Sequence, residues 1–280
     1  PGALALYKRT AEGAQEVGYE RVRRRARQFQ GELLMRLGRF PEAVRVLRAT
    51  LAEYEREGKE KEFPVHYFQC RVALGNGLGF QGRMQESREV LEGLVADPEL
   101  KSAAIRTQGL IAWSATEGEL GRQEAANQLL ERATAEAAAD GAQRDEVRQQ
   151  LCLRLASQPE RSAEAIQVCL AVKAEMIAAK STSFLAPVQY GLGQAYLDAG
   201  QRAKAMPELD EALDAYEKHQ SRNNVFYVQL LRAAAGAANA PAIQEAWRKL
   251  TGDWTTEEKR QYLSRGPIAR RVVAARVNLQ

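Results

Sequence analysis

The stretch QYGLGQAYLDAGQRAKAMPELDEAL, Gln189–Leu213, carries two apolar stripes at helical spacing on either side of a glycine. Leu192 and Tyr196 belong to the first stripe, Gly200 interrupts the pattern, and Leu209 lies in the second stripe. Small residues recur beside these large ones, and small residues allow two helices to approach closely. The stretch therefore predicts a pair of antiparallel helices. One such pair leaves an apolar face uncovered, so it needs further pairs on either side.

Related helix pairs recur along the chain at a nearly constant period. The close-packing position of each copy falls at Gly31, Gly75, Ser114, Leu153, Gly193 and Ala234. These positions are separated by 44, 39, 39, 40 and 41 residues. The repetition predicts an all-α solenoid of helix pairs.

The period also predicts how the chain is divided. We expect a single repeat domain over residues 1–280 that is part of a larger protein. It would contain a partial repeat or N-terminal cap at 1–20, helix pairs at 21–56, 65–96, 102–139, 145–180, 185–219 and 224–250, and a C-terminal cap at 255–280. The cap is the favoured interpretation of the last segment, where a capping box begins at Thr255, and a docking peptide is the alternative.

The best copy resembles the tetratricopeptide repeat, in a variant with a period of about 40 residues in place of the usual 34 or so. The matching residues are Leu192, Gly193, Tyr196, Gly200, Ala205, Leu209 and Ala212. The resemblance implies a right-handed superhelical solenoid of antiparallel helix pairs. It also implies an inner wall, built from the first helix of each pair, that grips an extended peptide or a partner helix.

The candidate wall residues mix amides with apolar side chains. Amides can hydrogen-bond a peptide backbone in both directions, and aromatic side chains can anchor a ligand. The candidates are Arg25, Gln28, Glu32, Arg36, Gln69, Val72, Asn76, Phe80, Gln108, Ile111, Gln150, Arg154, Tyr190, Gln194 and Asp198. Each of them alone also fits an ordinary solvated helix face, so the prediction concerns the groove as a whole.

The composition argues against several classes of protein. Apolar residues make up 45% of the chain and charged residues 27%, which suits a continuous core with a well-solvated surface. The net charge of +4 is dispersed, so we do not expect a nucleic-acid partner. No run reaches the roughly 18 apolar residues of a membrane helix, so we expect no membrane insertion within this chain.

The sequence offers little for catalysis or for cofactor binding. It contains no phosphate-binding loop after a strand, no GxSxG and no HExxH. The glycines of residues 74–82 fall on repeat positions, which favours helix packing over a phosphate site. The histidines, His66 and His219, are far apart. We therefore predict no enzyme, no metal site and no cofactor.

Two further features leave alternatives open. Cys152 and Cys169 are expected to face the core of one helix pair, and two small buried side chains are favoured over a disulfide. The arginines of residues 21–27 are expected mostly to face solvent, because Val22, Ala26 and Phe29 occupy the inward spacing. A specific anionic partner is the alternative for these arginines.

These observations predict a non-catalytic scaffold that binds a peptide or a partner protein in its groove. We expect it to be the sensor or docking part of a bacterial signalling or regulatory protein, where the bacterial origin rests on the Arg- and Ala-rich composition. The alternative is a small-molecule or signal-peptide sensor domain of a transcription regulator or a kinase. A cytoplasmic location is favoured, with the periplasm as the alternative if a membrane segment precedes this chain. The oligomeric state is not predicted.

Overall fold

The computed structural model describes residues 2–56, 58, 64–137, 141–180, 185–237 and 240–279, with the backbone alone at 141–143. The described residues form α-helices and one short 3-10 turn, Pro159–Arg161, and contain no strand. The helices are α1 (Gly2–Glu16), α2 (Glu20–Arg36), α3 (Phe40–Arg56), α4 (Pro64–Gln81), α5 (Met84–Val95), α6 (Ala103–Glu119), α7 (Gln123–Ala137), α8 (Gly141–Ala156), α9 (Ser162–Ala178), α10 (Leu185–Asp198), α11 (Arg202–Lys218), α12 (Arg222–Ala234), α13 (Ala240–Thr251), α14 (Thr256–Leu263) and α15 (Gly266–Ala274).

Contacts group the helices into two units. The first unit holds the chain up to Glu136 together with Asp253–Ser264, so it contains α1 to α7 and α14. The second unit holds Ala137–Gly252 and the chain from Arg265 onward, which includes α8 to α13 and α15. The single repeat domain expected from the sequence stays a prediction.

Each unit is an array of helix pairs packed in chain order. In the first unit, α2 packs on α3 and α4 on α5, and the first helices of the pairs, α2, α4 and α6, lie side by side. The second unit repeats this arrangement with α8, α10 and α12 as the neighbouring first helices. The all-α fold of sequential helix pairs is therefore confirmed.

The predicted close-packing glycines are the points where paired helices touch. A β-carbon built on Gly31 would lie 2.7 Å from Leu47 Cγ, and one on Gly75 would lie 2.5 Å from Leu91 Cγ. At Gly193 the corresponding distance to Leu209 Cγ is 2.6 Å. These distances are too short for a real side chain. The leucine sixteen residues further along thus occupies the space that each glycine leaves free.

A second small position, twelve residues after the first, completes each contact. Ser87 Oγ donates to the carbonyl oxygen of Gly75 at 2.8 Å. In the next pair the direction is reversed, and Ser114 Oγ donates to the carbonyl oxygen of Ala126 at 2.7 Å. The two helix backbones approach so closely that either helix can supply the hydroxyl that joins them.

Glycines also end most of the first helices. Gly38, Gly82, Gly121 and Gly200 have φ values of 74°, 85°, 79° and 72°, a left-handed conformation that favours glycine. After Gly38, the backbone N–H of Arg39 returns to the carbonyl oxygen of Leu34 at 2.9 Å, as in a Schellman motif. The chain therefore turns sharply and begins the second helix of the pair two residues later.

Two sequence assignments differ from the structure, and one helix contains a proline. Ala234 is the last residue of α12, so it does not hold the place that Gly193 holds five residues before the end of α10. Val22 is 46% exposed rather than inward-facing, while Ala26 is buried as expected. Pro207 lies inside α11, at its sixth residue.

The arginine run is packed more closely than the sequence suggested. Arg23 and Arg27 both pair with Glu53 of α3. Arg24 is only 1% exposed, and its guanidinium carbon lies 5.1 Å from the centre of the Tyr54 ring. The expectation that most of these arginines face solvent is therefore wrong, because their long aliphatic stems and planar heads cover α3.

Cys152 of α8 and Cys169 of α9 form a disulfide bond, so the favoured expectation of two unbridged side chains is wrong. Their Cα atoms are 5.0 Å apart, within the range that a disulfide can span. A β-carbon on Gly191 of α10 would lie 3.0 Å from Cys152 Sγ, so α10 packs directly on the bridge.

Candidate functional site

The first helices of the pairs carry all the predicted wall residues, and the structure brings several of them together. We call the surface of α2, α4 and α6 the first wall and that of α8, α10 and α12 the second wall. On the first wall, Gln28 Nε2 donates to Glu32 Oε1 at 2.9 Å and lies 3.5 Å from Gln69 Oε1. Gln28 is only 2% exposed, and although its Nε2 atom is bonded within the protein, its buried Oε1 atom has no hydrogen-bond partner among the described residues.

Arg25 also bridges two helices of the first wall. Its Nη1 atom lies 2.6 Å from Nε2 of His66 on α4. Partial burial and the positive charge of Arg25 lower the pKa of His66, which keeps the ring neutral near pH 7 and able to accept a hydrogen bond. Arg25 and His66 therefore form a polar rim at this part of the wall.

Three half-buried amides have free hydrogen-bonding capacity. They are Asn76 on α4, Gln108 on α6 and Gln150 on α8, and none has a hydrogen-bond partner among the residues that the structure describes. A side-chain amide can both donate to and accept from a peptide backbone. These three positions can therefore receive a ligand without first breaking a bond within the protein.

Four further predicted wall residues differ in how far their side chains are exposed to solvent. Val72 and Ile111 are buried, which makes them part of the packing beneath the first wall. Arg36 is exposed at the end of α2. Arg154 is half-buried near the end of α8, with Nη1 3.4 Å from Ser157 Oγ.

Phe80, a predicted anchor of the first wall, is part of an aromatic cluster that includes the C-terminal segment. The Phe80 ring stacks on the Phe40 ring with centroids 5.0 Å apart. The centroid of the Trp254 ring lies 5.7 Å from that of Phe40. Tyr262 of α14 packs edge-on against Trp254 at 5.2 Å. The helix α14 contacts α4, so residues 253–264 lie on the wall of the first unit.

The capping box predicted at Thr255 positions this segment. Thr255 Oγ1 accepts from the Glu258 backbone N–H at 3.2 Å, and Glu258 Oε2 accepts from the Thr255 N–H at 2.7 Å. This reciprocal pair starts α14 directly after Trp254.

On the second wall, the C-terminal helix α15 occupies the predicted residues Tyr190 and Gln194. Arg271 Nη2 donates to Gln194 Oε1 at 2.6 Å. The guanidinium carbon of Arg271 lies 5.5 Å from the centre of the Tyr190 ring and 5.7 Å from that of Tyr227. Arg265 Nη1 donates to Tyr227 Oη at 2.8 Å. Arg271 therefore sits within cation–π distance of two rings, with one amide oxygen as its acceptor.

Acidic side chains lie near this contact. Partial burial raises the pKa of Asp198 above its usual range, an effect that Arg271 opposes and Glu160 adds to. The predicted wall residue Asp198 is thus close enough to feel the charge of Arg271, although it makes no ion pair with it.

The sequence analysis did not predict the contacts that the C-terminal segment makes with the two walls, and it did not single out Tyr227. The helix α15 packs on α12 of the last pair, whereas α14 packs on α4 of the first unit. Only one signal was available, namely an aromatic residue, Trp254, directly before a capping box. The pairing of Arg271 with Gln194, 77 residues apart, has no signature in a local sequence pattern.

Comparisons with known proteins give a fold resemblance alone. No protein-family model matches this chain, and no curated protein matches it. Among solved structures, a putative kinesin light chain of Podosopora anserina with nearly identical TPR-like repeats is 20% identical, with a TM-score of 0.49 over 69% of this chain and 94% of the other. A variant of that protein gives 21% identity and the same TM-score over 70% and 95% of the two chains.

The helix pairs are tetratricopeptide-like. The close-packing glycines, the serine hydrogen bonds between paired helices and the left-handed turn glycines carry this likeness. Within the described residues, no helix is both long and apolar enough to cross a membrane. The same residues contain no cluster of three or more His, Cys, Asp or Glu side chains suited to a metal ion.

Proposed function

We propose that this chain is a non-catalytic interaction scaffold that binds a peptide or a segment of a partner protein against its first-helix walls. One observation carries the proposal: the protein's own C-terminal segment already lies on both walls, where Trp254 packs on Phe40 beside the predicted anchor Phe80, and Arg271 contacts the predicted wall residues Tyr190 and Gln194. A surface that holds one polypeptide segment through aromatic and amide side chains has the chemistry to hold another.

The free amides support the same proposal. Asn76 and Gln108 lie on neighbouring helices of the first wall, α4 and α6, and both are half-buried. They can pair with an extended backbone at low cost, because their oxygen and nitrogen atoms reach solvent and give up only water on binding.

The test is a selection of peptides from a random library by the full chain, followed by affinity measurements on single variants. Asn76→Ala and Tyr190→Ala should each weaken binding of the selected peptides while the circular dichroism spectrum stays unchanged. Gln85→Ala is the matched control, because Gln85 is an exposed amide on the second helix of the pair that carries Asn76. Selected peptides that bind all three variants as tightly as the parent chain would contradict the proposal.

A small-molecule sensor is the second candidate, favoured by a cavity in the first unit. The cavity has a volume of about 420 Å³ and lies between α1, α2 and α3, where Lys8, Glu12, Arg27, Gln30 and Arg45 are among its lining residues. This volume falls in the range of ligand pockets, and the cationic side chains suit an acidic metabolite. A metabolite that raises the melting temperature of the chain, but not that of an Arg45→Ala variant, would support this second candidate.

We also propose the kind of protein and the compartment to which this chain belongs. We place the chain in a bacterial signalling or regulatory protein as its sensor or docking part, and the full-length gene product tests this directly. For the compartment, the Cys152–Cys169 bridge supports an oxidising environment over the cytoplasm that we favoured from the sequence. Free thiols at both positions in protein isolated from its natural source would contradict that placement.

A further inference from the structure

Three side chains of the C-terminal segment point to the second wall from one helical face. Arg265, Ile268 and Arg271 follow each other at intervals of three residues. Arg265 is 9% exposed and Ile268 is buried, while Arg270 on the same helix is exposed. The segment thus presents a face of arginine, aliphatic side chain and arginine to α10 and α12.

The surface formed by Tyr190, Gln194 and Tyr227 suits a guanidinium group better than it suits an ammonium group. A planar guanidinium can lie over Tyr190 and Tyr227 and still donate in its own plane to Gln194. A lysine ammonium has no flat face to stack on a ring and is more strongly hydrated. The carboxylate of Asp198 nearby adds negative potential, which favours a cationic ligand over an anionic one.

The resident helix is held by few contacts. The helix α15 has nine residues, and Ile268 is its only buried side chain. Val273 on the same helix is 77% exposed. A helix of this length is not stable alone in water, so α15 stays on the wall through the contacts of Arg265, Ile268 and Arg271 and through the buried Leu279 that follows it, whose carbonyl oxygen accepts from Trp247 Nε1 at 3.1 Å.

We propose that Tyr190, Gln194 and Tyr227 form a binding site for an arginine-bearing amphipathic helix of a partner protein, and that α15 is the occupant that such a helix displaces. The recognised segment carries arginine, a large aliphatic residue and arginine at three-residue intervals. This inference rests on the proposed function and specifies the chemistry of the partner at the second wall.

The test uses the full chain and a fluorescent peptide with the sequence of residues 264–279. The peptide competes with the chain's own α15, so the parent chain should bind it weakly. Arg271→Ala weakens the internal occupant but leaves the site intact, and it should therefore tighten binding of the peptide by about tenfold or more, because the apparent affinity scales with the fraction of open sites. Arg270→Ala is the matched control, since it removes the same charge from the exposed face of the same helix.

A second set of variants removes the binding site from the Arg271→Ala chain. Adding Tyr190→Ala or Gln194→Ala to the Arg271→Ala chain should cancel the gain, and so should alanine at the peptide position that corresponds to Arg271. A Tyr190→Phe version keeps the ring and should keep the gain, which separates loss of the site from loss of the fold. If Arg271→Ala binds the peptide no more tightly than Arg270→Ala does, the inference is wrong.

The library selection separates failure of this inference from failure of the proposed function. The Arg271→Ala chain should enrich peptides that contain the arginine pattern. If it enriches peptides without arginine, and their binding depends on Asn76 but not on Tyr190, then the scaffold function stands and the arginine site is refuted. If no peptide is enriched by either chain, both are refuted.

Discussion

A β-carbon built on Gly75 would lie only 2.5 Å from Leu91 Cγ, so the absence of a side chain at Gly75 makes room for Leu91. Leu91 is fully buried in the contact between α4 and α5. The residue therefore determines how closely α4 and α5 approach. Gly79, one turn further along α4, is different, because a β-carbon there would meet only Ser87 Oγ at 3.5 Å and Thr116 Oγ1 at 3.8 Å.

We expect Gly75→Ala to destabilise the protein and Gly79→Ala to leave it unchanged or slightly more stable. The first change forces Leu91 out of place, at a cost of about 1–3 kcal/mol. The second adds a methyl group in ordinary contact and improves helix propensity by up to about 1 kcal/mol. Urea unfolding of both variants measures the difference. Equal stability of the two variants would contradict the close approach seen at Gly75.

The cysteines give a second prediction at this scale. In unreduced, denatured protein a maleimide should label Cys70 alone, because Cys152 and Cys169 are bridged. After reduction it should label all three. In the native state Cys70 should resist labelling, since it is fully buried and its burial raises the pKa of the thiol.

The bridge should also contribute to stability. The Cys152→Ser/Cys169→Ser variant should lose about 3 kcal/mol, the amount expected for a bridge that closes a loop of 17 residues. Cys70→Ser is the comparison that removes a thiol without removing the bridge. Chemical unfolding without reductant measures both variants, and a double variant as stable as the parent would show that the bridge contributes nothing.

At the scale of elements, helix α11 contains a proline that the fold tolerates but does not use. Pro207 is the sixth residue of α11 and is exposed. Without an N–H group, it cannot donate to the carbonyl oxygen one turn earlier, and its ring crowds that oxygen. The neighbouring Ala205 and Leu209 still face Gly193, so packing on α10 compensates for the weakened helix.

We therefore expect Pro207→Ala to raise the unfolding free energy by about 1–3 kcal/mol, because it restores a backbone hydrogen bond and removes the steric conflict. A thermal melt compares the variant with the parent chain. Pro41→Ala is the control, since Pro41 lies in the first turn of α3, where no intrahelical N–H bond is lost. A lower melting temperature for Pro207→Ala would mean that the proline has a structural role in α11.

At the scale of the whole chain, the C-terminal segment belongs to both units. Residues 253–264 pack in the first unit and residues from Arg265 onward in the second. These contacts join positions that are far apart in sequence, such as Phe40 and Trp254. Each unit thus includes residues of the segment that follows Gly252.

Removal of all residues after Gly252 should therefore loosen both units. We expect faster amide hydrogen exchange in α4 near Phe80 and in α10 near Gln194, because both lose the side chains that cover them. Val273→Ser in the full chain is the control, since Val273 makes little contact with either unit. Unchanged exchange in both helices after truncation would mean that the segment does not stabilise the walls.

The repeat architecture could be predicted from the sequence because each pair is a local structure with small residues at fixed spacing, as at Gly31, Gly75 and Gly193. The disulfide could not be predicted, since spacing alone does not show whether two facing cysteines react. The burial of Arg24 was missed because charge suggests solvent, whereas the aromatic ring of Tyr54 offers an alternative partner. The occupation of the walls was missed because contacts between distant segments leave no periodic trace in the sequence.

In the second pair a serine of the second helix donates to the first helix, and in the third pair a serine of the first helix donates to the second. This exchange has an evolutionary consequence. Gly75 faces Ser87, whereas Ser114 faces Ala126, so the two positions of each contact share a fixed amount of room. A larger residue at one position is then acceptable only when its partner twelve residues later becomes smaller. Orthologues of this chain should show such paired exchanges at 75 with 87 and at 114 with 126, and independent drift at those sites would be inconsistent with a shared contact.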